Sequence, residues 1–460
     1  MRKLIVIPSP RFFRDFITSG AFDAINDPET YYVTAGFGDL QPDLTGGATH
    51  VGQIGDEPDR KRAYNAARDM LLTAQRVKSP TRRMKLAELP LVARWRAKLA
   101  AMPGWRHLKL HRIMRDTGLR PEVHELMKDI SPELVITVSA GHEALGVDVL
   151  RSAKELDVPS LTLTYNWDNL SSKAAFLVDP DNLGVIGHQS AEHAERIHGL
   201  SRERVTVIGS PYIDHHFRHE PGSTQSPFDH RYVVFAGCYR PFDELRALEL
   251  LDEAVTTHGL ALKIVYLPHF RRVRRARSDF IDEGRLRNVI VEPRIHDQYI
   301  AGWKPGEGGA PIQRSRVLES DPLPLEAYPG LLENAEFVVC PLSTIMLEAA
   351  ILGRRVLAIA YHDGLHRTSP GYAIKYLHFE KVDDVETFEV CRAEADLVPT
   401  FAAMAADGSP PRRPPKDQMD YWIYHDTRPF SERLAELVER LGRPSAAGRT
   451  APPAAETMRR

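Results

Sequence analysis

The sequence predicts an α/β protein with two doubly wound, Rossmann-like domains that face each other across a cleft. Short apolar, β-branched segments alternate with helical segments over most of the 460 residues, which is typical of parallel sheets. The alternation stops at a polar, turn-rich linker, 219–227, and then begins again; the chain is also too long for one ordinary core. We therefore expect domains at 1–218 and 228–415, a final helical segment within 416–443, and a disordered tail at 444–460.

The strands are predicted from short apolar runs. Residues 3–7 end at Pro8, which lacks the N–H that a sheet needs. In the first domain we expect further strands at 31–35, 134–138, 160–164, 183–186 and 205–208, and helices at 57–76, 84–102, 111–129 and 189–198. In the second we expect strands at 232–235, 262–266, 288–291, 336–340 and 356–360, and helices at 244–258, 325–332, 345–352 and from about 431.

The stretch 334–361 carries the strongest functional pattern. Its first strand ends at Pro341, Ser343 or Thr344 then offers an N-cap oxygen to a helix, and Gly353 follows the helix. A strand–helix–strand unit of this kind places the free amides of the helix N-terminus at the carboxyl end of the strand, where α/β proteins bind phosphate. The alternative is that Ser343 only caps the helix.

Three segments carry a resemblance to glycosyltransferases of the GT-B fold. VIGSPYID at 207–214 is similar to the GxPxxD segment that closes their first domain, and 328–359 is similar to their donor-site signature. The segment 424–438 resembles their closing helix, which implies that 416–443 is a crossover helix that returns to the first domain. The nearest in character are CDP-glycerol glycerophosphotransferase-like enzymes and surface-polysaccharide glycosyltransferases. Some of these carry an SWDNL(S/T)xK-like segment where this chain has YNWDNLSSK at 165–173. The GGxQEE pattern of UDP-N-acetylglucosamine 2-epimerases, which share this fold, is absent.

The resemblance implies a metal-independent transfer from a nucleotide-sugar donor, without a cofactor. The donor would bind to the second domain and the acceptor to the first. In the donor signature a small residue and a Ser or Thr hold phosphate and a helix Glu holds ribose, which implies these roles for Leu342, Ser343, Thr344 and Glu348. The alternative for Glu348 is a solvated helix residue. The acceptor is expected to be a cell-surface glycan or its lipid-linked precursor.

Two further segments at predicted strand ends are candidates for donor binding. Gly237 permits a phosphate to approach the backbone, and Arg240 can pair with it through two hydrogen bonds; the alternative is a surface arginine beside a turn. His269 resembles the histidine of the RPHP motif in the CDP-glycerol family, although Leu267 replaces the leading arginine. A charged His269 or Arg271 would stabilise the leaving diphosphate; the alternative for His269 is a structural role.

The loop 165–173 is the candidate acceptor site. Sugar acceptors need an apolar plane to stack on and polar groups for their hydroxyls, which Trp167, Asn166 and Asn169 can supply. Asp168 can act as the general base of an inverting transfer. The alternative is an Asx-turn, in which the Asn and Asp side chains bond the local backbone.

The remaining candidates precede this loop in the chain. His142 and Glu143, at the start of the preceding helix, are rival bases, and Arg14 and Gly20, after the first strand, are expected to line the acceptor side. No grouping of His, Cys, Asp and Glu has the spacing of metal ligands, so no metal site is expected. The three cysteines are expected to be reduced core residues.

Charge and hydropathy limit the expected partners and compartment. The net charge of −2 gives no global field for nucleic acid, and no apolar run reaches membrane-spanning length. We expect a cytoplasmic protein. The segment 76–112 is rich in Lys and Arg and has the single acid Glu88. It is either a surface for the anionic inner face of the membrane or a solvated helix that packs on the sheet.

The sequence therefore predicts a glycosyltransferase of cell-envelope polysaccharide biosynthesis. Two enzymatic alternatives share the expected fold: a glycerophosphotransferase of the CDP-glycerol type, and an epimerase or hydrolase that acts on the nucleotide sugar alone. A third alternative is a protein that binds a nucleotide sugar or a glycan without catalysis.

Overall fold

The computed structural model describes residues 1–9, 12–36, 42–220, 222–269, 285–295 and 327–442. Thirteen strands within these ranges form two sheets, and all neighbouring strands pair in parallel. The predicted fold class of two doubly wound parallel sheets is confirmed. The predicted tail lies outside the described residues.

The first sheet has seven strands: Lys3–Ile7 (β1), Thr30–Ala35 (β2), Thr49–Ile54 (β3), Leu134–Val138 (β4), Ser160–Leu163 (β5), Asn182–Val185 (β6) and Val205–Val207 (β7). Their spatial order is β3-β2-β1-β4-β5-β6-β7. Every residue of β1 and β4 is buried, as expected for strands covered on both faces. The edge strand β3 was not predicted, because its sequence THVGQI is only partly buried and has no apolar run.

The second sheet has six strands: Tyr232–Ala236 (β8), Lys263–Leu267 (β9), Val289–Val291 (β10), Val338–Pro341 (β11), Val356–Ile359 (β12) and Phe388–Cys391 (β13). Their spatial order is β10-β9-β8-β11-β12-β13. The edge strand β13 was also not predicted, since its two central residues, Glu389 and Val390, are not buried.

Each sheet contains one point at which its strand order reverses. In the first sheet this point lies between β1 and β4, and in the second it lies between β8 and β11. The connections that leave these neighbouring strands diverge, and the crevice between them at the carboxyl ends is the usual ligand site of an open α/β sheet.

Sixteen α-helices lie within the described ranges, and no helix there is both long and apolar enough to cross a membrane. They are Pro58–Ala74 (α1), Pro80–Glu88 (α2), Leu91–Ala100 (α3), Pro103–Thr117 (α4), Pro121–Ile130 (α5), Ala144–Glu155 (α6), His188–His193 (α7), Pro211–Arg218 (α8), Glu244–Thr257 (α9), Pro293–Ile295 (α10), Ala327–Glu333 (α11), Ile345–Ile351 (α12), Pro370–Ala373 (α13), Glu394–Ala406 (α14), Lys416–Trp422 (α15) and Phe430–Gly442 (α16).

Prolines divide the basic region into more helices than predicted. The expected helices 84–102 and 111–129 are four helices, α2 to α5. Pro80, Pro103 and Pro121 each occupy a first helical position, and Pro90 precedes α3. Proline fits the first turn of a helix, where its missing N–H costs nothing, but it ends any helix that precedes it.

After the second sheet the chain packs again on the first sheet. The apolar face of α16 packs in the core of the first sheet, and buried Arg433 pairs with Asp214 at 2.9 Å. Gly209 has φ +91°, and a Cβ there would lie 2.5 Å from the carbonyl oxygen of Tyr424. The VIGSPYID segment therefore holds the returning chain in place.

Candidate active site

A cavity of about 860 Å³ lies between the two sheets, at the carboxyl ends of their strands. Side chains that follow β1, β5, β6 and β7 line it from the first half, and side chains that follow β8, β9 and β11 line it from the second. Both strand-order reversals therefore open onto one space, in the position where α/β proteins bind ligands.

Most of the residues that the sequence singled out line this cavity. They are Arg14, Asn166, Trp167, Asp168, Arg240, His269, Leu342, Ser343, Thr344 and Glu348. Gly20, His142, Asn169 and Gly237 are not part of the lining. Arg271 lies outside the described residues.

The turn at 342–344 is held differently from the prediction. Thr344 precedes α12 without a side-chain capping bond; its Oγ1 instead accepts a hydrogen bond from Trp167 Nε1 at 3.2 Å. The buried Ser343 hydroxyl has the thiol of Cys340 as a weak partner and no nitrogen or oxygen partner among the described residues. The predicted capping role is therefore wrong, and the Ser343 hydroxyl keeps most of its hydrogen-bonding capacity.

Glu348, in the first turn of α12, is 4% exposed. Its carboxyl lies 3.5 Å from Nε2 of His216, and burial lowers the pKa of that imidazole to about 3, so His216 is neutral at pH 7. Burial also raises the pKa of Glu348 to about 7, because His215 and Arg14 offset the desolvation only in part. The alternative of a solvated helix residue is wrong, since Glu348 is a buried carboxyl that titrates near neutral pH.

The space beside Gly237 is occupied by a carboxylate of the protein. A Cβ at this position would lie 2.7 Å from Glu244 Oε2. The Glu244 carboxylate accepts hydrogen bonds from Cys238 N at 2.8 Å and from Tyr266 Oη at 2.6 Å. Gly237 therefore makes room for Glu244, and this packing contradicts the prediction that a phosphate approaches it.

Arg240 and His269 line the cavity from neighbouring loops of the second half. The Arg240 guanidinium lies 4.4 Å from the centre of the Tyr376 ring, a cation–π contact that holds the charge beside the cavity. The His269 ring lies 5.9 Å from the ring of Tyr239, which is 48% exposed. These loops therefore bring the Arg240 guanidinium and the rings of Tyr239 and His269 to the cavity, in addition to the 342–344 turn.

The loop 165–173 uses much of its polarity internally. Oδ1 of the buried Asn169 accepts hydrogen bonds from Tyr165 N at 3.1 Å and Asn166 N at 2.8 Å, which is the Asx-turn arrangement. Trp167 is 4% exposed and packs edge-on against aromatic rings of the second half and the returning segment. Asn169 is therefore a turn residue, and the packing of Trp167 contradicts an open stacking platform.

Asp168 is an ion-paired carboxylate at the cavity. Its side chain lies 2.8 Å from Lys173 Nζ and accepts a hydrogen bond from Ser172 Oγ at 3.0 Å. Burial acts to raise the pKa of Asp168, but the Lys173 ammonium outweighs it and holds that pKa well below its usual range. A carboxylate with so low a pKa accepts protons weakly.

The rival bases and Gly20 have structural environments. Glu143 accepts a hydrogen bond from Ala140 N at 3.1 Å, and His142 Nδ1 lies 3.5 Å from the carbonyl oxygen of Ala140. Gly20 has φ +69° in a turn where a Cβ would lie 2.6 Å from an Asp23 oxygen. These residues shape the loops after β4 and β1, and they do not face the cavity.

Among the described residues, four cationic side chains converge on the cavity from both halves: Arg14, Lys85, Lys173 and Arg240. Arg14 pairs with Asp15 at 2.8 Å, and Lys173 pairs with Asp168. Burial lowers the pKa of Lys85 to about 8, because the nearby carboxylates only partly offset its desolvation. An anion in the cavity would therefore stabilise the charged form of Lys85.

The described residues contain no group of three or more His, Cys, Asp and Glu side chains placed to hold a metal ion. All three cysteines, Cys238, Cys340 and Cys391, are buried free thiols, as predicted.

Comparison with known proteins identifies the fold. No protein-family model matches the chain, and no curated protein matches it. A UDP-GlcNAc 2-epimerase from Methanocaldococcus jannaschii is similar in structure, with 11% identity, coverage of 95% of this chain and 100% of that chain, and a TM-score of 0.50. The chain has the GT-B fold. Two further structures are also similar. The glycotransferase of kitacinnamycin has 11% identity, coverage of 95% of this chain and 98% of that chain, and a TM-score of 0.45. The wall teichoic acid polymerase TagF has 10% identity, coverage of 95% of this chain and 88% of that chain, and a TM-score of 0.42.

In this GT-B chain the helix α2 supplies cavity residues that the sequence did not indicate. Lys85 and Glu88 lie on α2 and line the cavity. This helix follows the first three strands in the chain, but it contacts the second half. Tyr376 Oη donates a hydrogen bond to Glu88 at 2.5 Å, and Leu377 N donates one to Thr81 Oγ1 at 2.8 Å. His378 lines the cavity from the same contact. Only the basic character of 76–112 marked α2 in the sequence, and no local pattern marks His378.

Proposed function

We propose that this protein is a transferase that moves a sugar from a nucleotide-activated donor to an acceptor in the cavity. The donor binds to the second half, at the 342–344 turn, and the acceptor binds to the first half. The observation that carries the proposal is the cavity on which both strand-order reversals meet, to which the described residues bring Lys85 and Arg240 beside the Arg14–Asp15 and Lys173–Asp168 ion pairs. A nucleoside diphosphate is the kind of ligand that the Lys85 and Arg240 charges would stabilise in such a crevice.

Two features of the turn support a donor there. The Ser343 hydroxyl is buried at the cavity without a nitrogen or oxygen partner among the described residues, so it is available to a phosphate oxygen. The Glu348 carboxyl, five residues after Ser343, is the acceptor that we propose for the two ribose hydroxyls. Because the pKa of Glu348 is about 7, donor binding should favour its ionised form.

Lys85 and Arg240 are the proposed partners of the diphosphate. Neither needs a metal ion to neutralise the leaving group, and we propose a transfer without metal or cofactor. The proposed setting is the cytoplasm, at the inner face of the cell membrane, with a cell-envelope glycan or its lipid-linked precursor as acceptor. A polyol phosphate in place of the sugar would make the same site a glycerophosphotransferase.

A thermal-unfolding screen tests the proposal. The chain is heated with UDP, GDP, CDP, CMP and dTDP and with their sugar or glycerol conjugates, and the true donor raises the melting temperature, since a ligand at about 100 Kd stabilises by ~2.7 kcal/mol. Lys85→Met and Arg240→Ala should abolish the rise, whereas Arg62→Ala, an exposed arginine outside the cavity, should retain it.

The same donor then distinguishes the reaction classes. A transferase releases the nucleotide rapidly only when the acceptor is present. An altered or hydrolysed sugar without acceptor would indicate an epimerase or a hydrolase, and binding without turnover would indicate a binding protein. If no nucleotide in the panel shifts the melting temperature, the proposal is wrong.

A further inference from the structure

The helices α3 and α4 form an apolar surface on the outside of the protein. Neither helix has a fully buried residue, although both contact α1. Seven large apolar side chains on and between them are more than half exposed: Leu91, Val92, Trp95, Leu99, Met102, Trp105 and Leu108. Elsewhere in the described ranges such side chains are scattered. We call residues 91–112 the helical surface; a patch of this kind marks an interaction site.

Positive charge accompanies the apolar side chains. Residues 91–112 contain six Lys and Arg residues and no Asp or Glu. The Lys98 ammonium lies 5.6 Å from the Trp95 ring and the Lys109 ammonium lies 5.1 Å from the Trp105 ring. Tryptophan and lysine side chains both have an apolar body and a polar end, so they suit the boundary between lipid tails and headgroups.

We propose that the helical surface binds a lipid bilayer that contains anionic headgroups. The two helices lie in the plane of the interface, with the Leu, Val, Met and Trp side chains among the acyl chains and the Lys and Arg side chains at the phosphates. Interfacial helices elsewhere combine these two features, apolar burial and attraction to anionic lipid.

The charge distribution favours a bilayer over a second copy of the chain. A twofold contact through this surface would place its Lys and Arg residues against the same residues, with no Asp or Glu between 91 and 112 to pair with them. A nucleic acid would satisfy the charges, but it would leave the exposed Leu, Val and Met side chains unburied. Of these three occupants, only an anionic bilayer would bury the apolar side chains and also pair with the Lys and Arg side chains.

The helical surface is joined to the cavity by a short, fixed connection. The Arg94 guanidinium donates hydrogen bonds to the carbonyl oxygens of Ala87 at 3.0 Å and Leu89 at 3.2 Å, which fixes α3 to the end of α2. The cavity residues Lys85 and Glu88 lie on that same α2. A bilayer on the helical surface would therefore lie beside the cavity wall, and, if the proposed function holds, a lipid-linked acceptor would have a short path to it.

Flotation of the full chain with lipid vesicles tests the inference. One set of vesicles is phosphatidylcholine alone, and the other is phosphatidylcholine with an equal part of phosphatidylglycerol. We expect the chain to float with the second set and to lose at least about tenfold in bound fraction with Trp95→Glu/Trp105→Glu. Leu365→Glu, a change at an exposed leucine away from the helical surface, should bind as the unchanged chain does.

A second pair of variants tests the charge. Arg96→Ala/Lys98→Ala/Lys109→Ala should lose the preference for phosphatidylglycerol, whereas Lys154→Ala/Lys375→Ala, at exposed lysines elsewhere, should keep it. Circular dichroism of each variant checks that the chain is folded, as expected for changes at exposed positions. The readout needs no nucleotide, so failure of this inference and failure of the proposed function are separate results.

Three results would overturn the inference. The first is an absence of flotation with either set of vesicles by the folded, unchanged chain. The second is equal flotation with both sets and no effect of the charge variants. The third is a chain that does not bind vesicles but associates with itself or binds a DNA or RNA duplex, when Trp95→Glu/Trp105→Glu abolishes that association.

Discussion

The two walls of the cavity differ in how they use their polar groups. In the second half, the Ser343 hydroxyl has no nitrogen or oxygen partner among the described residues, and Glu348 is buried with a raised pKa. In the first half, Asn169 accepts two backbone hydrogen bonds, and Asp168 pairs with Lys173. The turn wall therefore leaves the Ser343 hydroxyl with little hydrogen bonding and buries the Glu348 carboxyl at a cost to its charged form, whereas the loop wall uses Asn169 and Asp168 to fix its own shape.

This difference between the walls predicts which changes should affect stability and which should affect ligand binding. The Glu348 carboxyl in the turn wall destabilises the fold when it ionises, and such a cost is common at functional sites. The loop wall gains stability from each polar group, and it holds Lys173 and Trp167 in position. Changes in the turn should therefore weaken ligand binding and spare the fold, while changes in the loop should do the reverse.

Asp168→Asn should give the largest effect. If Asp168 is the base, as the sequence predicts, turnover with the donor from the screen should fall by about 10²–10⁴-fold while donor affinity is retained. Because Lys173 holds the pKa of Asp168 well below its usual range, the activity should show no acid limb from this group between about pH 5 and pH 7. Retained turnover would exclude Asp168 as the base.

Glu348→Gln should change how stability depends on pH. Burial raises the folded-state pKa of Glu348 from 4.5 to about 7, so its contribution to stability is complete below about pH 4.5 and is lost as the pH rises through about 7. At about pH 8 the variant should be more stable than the unchanged chain by on the order of 3 kcal/mol, and near pH 4 the two should be similar. Urea unfolding at both pH values measures this; parallel pH profiles would contradict it.

Asn169→Ala and Ser343→Ala form a matched pair across the two walls. Asn169→Ala removes the acceptor of two backbone N–H groups and should lower the free energy of unfolding by about 2–3 kcal/mol. Ser343→Ala removes a hydroxyl whose one partner is a weak thiol, and it should change that free energy by less than about 0.5 kcal/mol while weakening donor binding. Equal losses of stability in urea would show that the two walls do not differ.

Trp167→Phe tests the contact between the two walls of the cavity. The change removes the hydrogen bond from Trp167 Nε1 to Thr344 Oγ1 and keeps an aromatic ring in place. We expect a loss of about 1 kcal/mol in the free energy of unfolding, measured by urea denaturation. A loss above about 3 kcal/mol would show that ring packing, and not this hydrogen bond, joins the walls.

The sequence predicted the structural elements that are specified by residues close together in the chain. The strand–turn–helix at β11 and α12 was found because its apolar run, Pro341 and Gly353 lie in one local pattern. The edge strands β3 and β13 were missed because partly buried strands lack such a run. Ser343 was assigned a capping role because sequence gives no side-chain direction.

The rest of the site depends on contacts between distant parts of the chain. Lys85 reaches the cavity only because α2 packs against the second half through Tyr376 and Leu377, nearly three hundred positions later in the sequence. Glu244 takes the place expected for a phosphate beside Gly237, and no local pattern indicates that a helix residue turns back onto its own strand.

Calorimetric titration of the donor nucleotide across pH tests the central claim most directly. In the proposed donor site, ionised Glu348 would accept the ribose hydroxyls and charged Lys85 would bind phosphate, and their pKa values are about 7 and about 8. Affinity should therefore rise as the pH rises through about 7, where Glu348 ionises, and fall above about 8, where Lys85 loses its proton. Glu348→Gln should lose the rise, and Lys85→Met should lose the fall. An affinity that does not change with pH, or that keeps both limbs in these variants, would contradict the assignment of this cavity as a donor site.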